Sequence, residues 1–235
     1  MSARSETLAS RITAHFGERL KPLPCVADDV AFEVAREDLL SVCRELRDDP
    51  QFGFEQLIDL AGIDYLDYGR DEWNTYQSTR TGFSRGVNRI RESVSEPREN
   101  RFAVVYQLLS ISNNWRLRLR CYTSNGEPPV IDTVVGIWAA ANWFEREAFD
   151  LFGIFFNDHP DLRRLLTDYG FIGHPFRKDF PLIGNVEVKY DPAKGRVVYQ
   201  PVSIEPRTLV PRVIRHDNRY EPALKDVPVG ANTRG

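Results

Sequence analysis

The stretch RFAVVYQLLSISNNWRLRLRCYT, Arg101 to Thr123, decides the fold. Its second half sets Trp115, Leu117, Leu119 and Cys121 in strict alternation with Arg116, Arg118 and Arg120. Successive side chains of a strand point to opposite faces, so this period of two means one buried face and one charged face. The first half is an apolar run with valines and aromatics, and Ser112-Asn113-Asn114 between the halves is turn chemistry. The two halves predict an antiparallel hairpin at the centre of a sheet. The arginine stripe reads as solvated or interface-facing, with a carboxylate-substrate site as the alternative.

Outward from the hairpin, helices and strands alternate. Leu8, Ile12, Phe16 and Leu20 fall four apart and predict a helix over Glu6–Leu20, capped by Ser5. VAFEV, Val30 to Val34, reads as a short strand. REDLLSVCRELRDDP, Arg36 to Pro50, reads as a helix stopped by its proline, with Leu39, Leu40, Val42, Cys43 and Leu46 on one face. FEQLIDLAGIDYL, Phe54 to Leu66, is apolar enough for a buried strand. After the hairpin and a turn-rich loop, Thr123 to Asp132, a helix is expected from about Trp138 to Phe152, with Gly153 as its stop. This order predicts an α+β fold with one mixed β-sheet packed with helices.

The 235 residues suit one sizeable domain, or one domain with an arm. With 31 basic against 34 acidic residues the net charge is -3, so no nucleic-acid partner is expected. No run approaches the roughly 20 apolar residues of a membrane span. The opening MSARSETLASRITAHF carries acids and no apolar core, so no secretory signal is expected. Cys25, Cys43 and Cys121 lie far apart and are odd in number. They read as buried reduced thiols rather than as disulfides or cluster ligands.

Tyr68 to Asn100 is polar, and Arg80, Arg85, Arg89 and Arg91 are offset by Glu92, Glu96 and Glu99. It reads as a surface insertion or a mobile hairpin loop. Eight of the fifteen prolines lie between Pro175 and Pro228, too often for helices or a central sheet. EVKYDPAKGRVVYQPV, Glu187 to Val202, allows one more hairpin around Pro192 to Gly195. Beyond it an extended arm keeps Ile204, Leu209, Val210, Val213 and Ile214, anchors that suit docking on another protein better than disorder. The expected division is a core of residues 1–180, with the insertion at about 68–100, and a hairpin with a proline-rich extended C-terminal arm over 181–235.

The expected helix up to Phe152 carries Glu145, Arg146, Glu147 and Asp150. Arg146 and Asp150 are four apart and able to pair on one face. Carboxylates buried together suit acid–base chemistry, whereas a salt-bridged helix face is the commoner use. Trp143, Phe144, Phe149, Leu151 and Phe152 crowd the same turns, so the charges press on apolar surface and need partners. Arg163, Arg164, Arg177 and Lys178 are candidates. His159 and His174, among Asp158, Asp161 and Asp168, match no recurrent metal-ligand spacing. His159-Pro160-Asp161 reads as a turn and His174-Pro175 as extended backbone, both histidines serving structural hydrogen bonds. Gly153, Gly170 and Gly173 form no phosphate cradle, and neither GxGxxG, GK[ST] nor GxSxG occurs. Apart from the acids, the sequence carries no catalytic signature, and a metal site on His159, His174 and the acids is the alternative to their structural use.

Glu145-Arg146-Glu147, Asp150 to Ile154, and His159-Pro160-Asp161-Leu162-Arg163-Arg164-Leu165 resemble the signature of one family. It is the 30-kilodalton or C subunit of respiratory NADH:quinone oxidoreductase, complex I. TDYGFIGHPFRKDFPL and VEVKYD…RVVYQPV continue the likeness, which is close from Phe102 to Pro201 and loose before it. The resemblance implies a peripheral-arm protein with no cofactor of its own. It would pack on the D subunit, the hydrogenase-large-subunit-like component of the quinone pocket, and near the B and I subunits. FMN, iron–sulfur clusters and quinone would reside elsewhere in the complex. The chain would meet the membrane only through the complex, on the cytoplasmic side of the bacterial inner membrane. The resemblance also implies that Glu145, Arg146, Glu147, Asp150, Gly153, His159, Pro160, Arg163, Arg164, Gly170, Gly173, His174, Pro175, Lys178 and Asp179 are signature or interface residues rather than catalysts. The homologous component of a membrane-bound hydrogenase or a related dehydrogenase is the alternative.

Overall fold

A computed structural model describes residues 2–25, 29–66, 68, 78–79, 82–83 and 99–204. Residues 1–67 and 96–203 form one compact unit. The second unit, 68–95 and 204–235, is described only in part, including the short antiparallel pair β4 (Ser78–Thr79) and β5 (Gly82–Phe83). Most of the expected insertion, and the arm beyond Ile204, lie outside the described residues.

The first unit is built on a mixed sheet of five strands: β1 (Leu20–Pro22), β2 (Val30–Val34), β3 (Gln56–Asp64), β6 (Phe102–Ser110) and β7 (Trp115–Tyr122). Their order is β1-β2-β7-β6-β3. The expected hairpin is β6–β7, with Ser110 opposite Trp115 and Val104 opposite Cys121. β2 runs parallel to β7 and the remaining pairs are antiparallel. The register puts Phe32, Leu119, Tyr106 and Leu60 in one row across four strands, and all four are buried. β3 bulges at Ile58, which leaves that residue exposed between buried Leu57 and Leu60.

Two helices lie over the apolar face. α1 spans Ala3–Phe16 and buries Leu8, Ile12 and Phe16. It begins three residues earlier than the alternation suggests. Ser2, not Ser5, is the cap, accepting the Ser5 N–H on its hydroxyl at 3.3 Å. It also ends earlier: Gly17 takes a positive φ of 55°, and Leu20 opens β1 instead of closing the helix. α2 spans Leu39–Asp48 and buries Leu39, Val42, Cys43 and Leu46, the stripe that a 3.6-residue period turns to one side. The two leucines and the valine are each worth about 2 kcal/mol of apolar burial. Cys43 and Cys121 are buried free thiols, and desolvation raises both, Cys121 to about 12. Cys25 is only half-buried, against expectation, because it lies beside Arg118 beyond the end of β1.

α3 (Ala141–Phe152) starts three residues after the expected Trp138. Trp138 sits in the preceding turn, where its indole N–H donates to the Phe54 carbonyl at 3.0 Å. β8 (Val130–Asp132) and β9 (Phe155–Asn157) form a separate parallel pair. β10 (Val186–Asp191) and β11 (Arg196–Pro201) form the expected late hairpin, paired only with each other. Among the described residues no helix is long and apolar enough to cross a membrane.

Candidate docking surface

α3 ends where a glycine is needed. Gly153 has φ 73°, and its N–H returns to the Phe149 carbonyl at 2.8 Å. An added Cβ would lie 2.6 Å from an Arg177 nitrogen and 2.7 Å from the His174 ring. The loop after residue 160 is therefore packed directly over the helix end. Three buried carboxylates hold the surroundings of that helix in place, each on its own set of donors.

Asp150 has no accessible surface. Its Oδ2 accepts from the amides of Leu165, Leu166 and Thr167 at 2.7–3.0 Å. Its Oδ1 accepts from Arg164 at 3.0 Å and from the Thr167 hydroxyl at 2.6 Å. Desolvation, the largest influence, pushes the acid up, but the hydrogen bonds from Thr167 and the three amides outweigh it and bring Asp150 to about 2. The expected Arg146–Asp150 pair does not form. Arg146 instead donates to the carbonyls of Arg163 and Arg164 and lies over the Trp143 ring. The adjacent loop supplies more carbonyls and amides than the helix face offers, and it takes both charges.

Glu145 faces the other way, to the loop between β8 and α3. It accepts from the Thr133 hydroxyl at 2.5 Å and the Val134 amide at 2.8 Å. Both donors are neutral, so desolvation dominates and raises Glu145 to about 7. His159 comes within 3.9 Å, but its hydrogen bonds go to backbone. Nδ1 accepts from the Asp161 amide at 3.0 Å, leaving Nε2 to donate to the Asn142 carbonyl at 3.1 Å. Glu145 and Asp150 thus serve separate loops and do not form an acid–base pair.

The third carboxylate is Asp64, at the end of β3. It takes a two-pronged contact from Arg101 at 2.9–3.0 Å and the amides of Leu66 and Lys178, each at 2.9 Å. Arg101 also reaches Asp179 at 2.9 Å. His174 donates to the Asp150 carbonyl at 2.8 Å, Arg177 to Phe152 at 2.6 Å and Arg164 to Gly173 at 3.0 Å.

The structure thus gathers Arg146, Asp150, Gly153, Arg164, Gly173, His174, Lys178 and Asp179 around the loop after residue 160, Lys178 through its backbone, whereas Glu145 holds the loop before α3 and His159 the first turn of that helix. Arg163 contributes its carbonyl to Arg146, while its side chain pairs with Asp161 in solvent. Glu147 is half-buried, and Pro160 and Gly170 are exposed. Asp64, Arg101 and Thr167 belong to the same framework without a local signal in sequence, and Arg177, a candidate partner in the sequence, joins it through the Phe152 carbonyl. The one clue to Asp64 is that it is one of two acids, with Asp59, in the otherwise apolar run LIDLAGID.

What the framework presents outward is apolar. Leu166, Tyr169, Ile172, Phe176 and Leu182 are exposed along the loop, and Val186, Val188, Tyr190, Val197 and Tyr199 along the hairpin. A cavity of about 460 Å³ lies among Phe171, Ile172, Phe180, Ile183, Val188 and Tyr199. A second, of about 580 Å³, adjoins it at Pro175, Phe180 and Leu182. So many large apolar side chains exposed from one segment make this the candidate interaction surface. Among the described residues no group of three or more His, Cys, Asp and Glu side chains is placed to hold a metal ion.

A family model described as the respiratory-chain NADH dehydrogenase 30 Kd subunit matches residues 32–186. The NADH-quinone oxidoreductase C subunit of Halorhodospira halophila is 56% identical over 230 residues, covering 93% of this chain and 94% of that protein. The corresponding protein of Coxiella burnetii is 53% identical over 225 residues, covering 95% and 99%. The fold also matches a chain in the structure of the membrane-bound sulfane sulfur reductase, an archaeal respiratory membrane complex. That match has a TM-score of 0.54 at 16% identity over 77% of this chain and 87% of that one.

Proposed function

This chain belongs to the 30 Kd subunit family of the respiratory-chain NADH dehydrogenase, and from that premise we propose that it is a structural component of the peripheral arm of a proton-translocating NADH:quinone oxidoreductase. Its part is to dock on the D subunit at the quinone pocket, near the B and I subunits, at the cytoplasmic face of the bacterial inner membrane. Electrons pass from NADH through FMN and iron–sulfur clusters to quinone elsewhere in the complex, and the isolated chain catalyses nothing. Residues 1–180 act as the core, and 181–235 as the part that reaches over the partner.

The observation that carries this reading is the apolar surface from Leu166 to Tyr199, whose loop part is fastened from behind at residues 165–167 and 178 by Asp150 and Asp64. Rigid backing makes binding less costly in conformational entropy. It also gives the family signature a role without chemistry: Arg146, Asp150, Gly153 and His174 shape a docking loop, and Glu145 holds the loop before α3.

The test is affinity purification of the tagged full-length chain from detergent-solubilised membranes, with mass spectrometry. Recovery of a quinone-pocket protein together with flavin- and cluster-bearing chains supports the reading. A hydrogenase large subunit without an NADH-binding module replaces it with the equivalent component of a related complex. Asp150→Ala is expected to lower the amount of assembled complex more than turnover per assembled complex. Normal assembly with abolished turnover overturns the structural role.

A further inference from the structure

The β10–β11 hairpin is a two-stranded sheet, and such a pair is marginal in water by itself. Its register fixes which backbone groups are spent. The Val202 amide donates to the Asn185 carbonyl at 3.3 Å, and the strands then pair Val186 with Pro201 and Glu187 with Gln200. Opposed residues of antiparallel strands alternate between bonded and non-bonded pairs. Glu187, Lys189 and Asp191 therefore bond to β11, while the N–H and C=O groups of Val186, Val188 and Tyr190 point away from it. Among the described residues no backbone hydrogen bond outside the hairpin takes them up.

The two edges are not equivalent. On β11 the matching outward positions are Val197, Tyr199 and Pro201, and proline has no N–H to give. A proline blunts an edge against pairing, whereas β10 keeps a full set of donors and acceptors. The side chains of Val186, Val188 and Tyr190 are 53–60% exposed on the same apolar face that borders the 460 Å³ cavity. On the opposite face Glu187 is bonded to Gln200 and Ser203, and Asp191 pairs with Lys194. Lys189 stands exposed between them. Its charge helps to lower Glu187, but among the described residues it closes no salt bridge.

We propose that an extended segment of the partner polypeptide adds to the outer edge of β10 as a third strand, placing apolar residues beside Val186, Val188 and Tyr190 and an acidic residue beside Lys189. The proposal rests on the docking role above and names how that docking is made. Strand addition uses main-chain hydrogen bonds for affinity and alternate side-chain pockets for specificity. It satisfies the open edge and the uncovered apolar face at once, and it gives the lysine a close carboxylate.

The experiment is residue-resolved hydrogen exchange on the full chain, free and within the purified complex. The Glu187 and Lys189 amides, bonded to β11 in the free chain, are expected to be protected in both and to slow further only as far as the hairpin itself is stabilised. The Val188 and Tyr190 amides slow on the order of 100-fold on assembly. Val188→Pro removes an outward donor and leaves the hairpin ladder whole, so it is expected to cut assembly roughly tenfold or more, beyond Val188→Ala. If the complex forms and Val188 and Tyr190 exchange at the free-chain rate, docking stands and strand addition is refuted. Loss of assembly with Val197→Pro but not Val188→Pro also refutes it. If no partner co-purifies, the docking role fails and strand addition falls with it.

Discussion

Replacing Glu145 by glutamine is expected to stabilise the fold, and by an amount that depends on pH. Glu145 is buried against two neutral donors, and burial raises its pKa from 4.5 to about 7. An acid that holds its proton more tightly in the folded state makes stability fall as pH rises between those values. Below 4.5 the side chain is protonated in both states and nothing is lost. Above about 7 it is ionised in both, and the full penalty of the buried charge is present. Each pKa unit corresponds to 1.36 kcal/mol, so the penalty reaches about 3 kcal/mol. Glutamine can accept the Val134 amide as glutamate does, and it carries no charge. The gap in stability between variant and parent is therefore expected to open from about pH 5 and level off near pH 8. For a chain of this size it corresponds to roughly 6–12 °C in melting temperature. Thermal melts of both chains at half-unit pH steps measure it. Parallel profiles, with a gap constant across the range, refute the argument, because Glu145 would then ionise as it does in the unfolded chain. Glu145→Ala serves as the control: it strands the Val134 amide and destabilises at every pH.

Asp150→Asn keeps the shape but removes the charge that accepts from Arg164 and three amides; it is expected to cost about 3 kcal/mol and to expose the 164–170 loop to limited proteolysis. Arg101→Ala strands Asp64, which is fully buried at its side chain, and is expected to cost roughly 3–5 kcal/mol in urea unfolding. Gly153→Ala meets a positive φ and contacts of 2.6–2.7 Å, with an expected loss of about 2 kcal/mol or more in the same assay, whereas Gly170→Ala, with nothing within 4 Å, is expected to stay near neutral. Acidification removes the contribution of Asp150 between its ordinary 3.8 and about 2, so the amides of the docking loop are expected to exchange faster as pH falls through that window, after correction for the intrinsic rate.

The sheet is legible wherever one strand carries its own pattern. Trp115 to Cys121 announce β7 by alternation, and Leu39 to Leu46 announce α2 by period. Pairings between distant strands are not legible. Nothing in VAFEV says that it runs parallel to β7, because register depends on both partners. Spacing alone makes β1 look like the end of a helix, since Leu20 continues the interval of Phe16 and the interruption is the backbone turn at Gly17. In the candidate surface the acids of α3 are visible as a cluster, but spacing assigns their partners along the helix. Of the actual donors, Arg164 is named as a candidate in the sequence, whereas the Thr133 and Thr167 hydroxyls and the amides of residues 165–167 and 134 are not, and an amide has no signature in sequence. Asp64 is hidden for a related reason: its partner Arg101 stands 37 positions away.

The Asp64 contact with the Lys178 amide closes a span of 114 residues. Chain-closure entropy grows as the logarithm of that length and reaches about 4 kcal/mol here before any contact repays it. This latch therefore has to wait for the sheet. At roughly 5–20 residues per second of synthesis, the strands through β7 emerge several seconds before the last residue the latch requires. During that interval a nascent chain has all five strands of its main sheet but not the residue that fastens the loop over α3. A chain that has not completed β3 has no Asp64 in place to fasten residue 178, so order in the exposed apolar loop depends on the sheet having formed first.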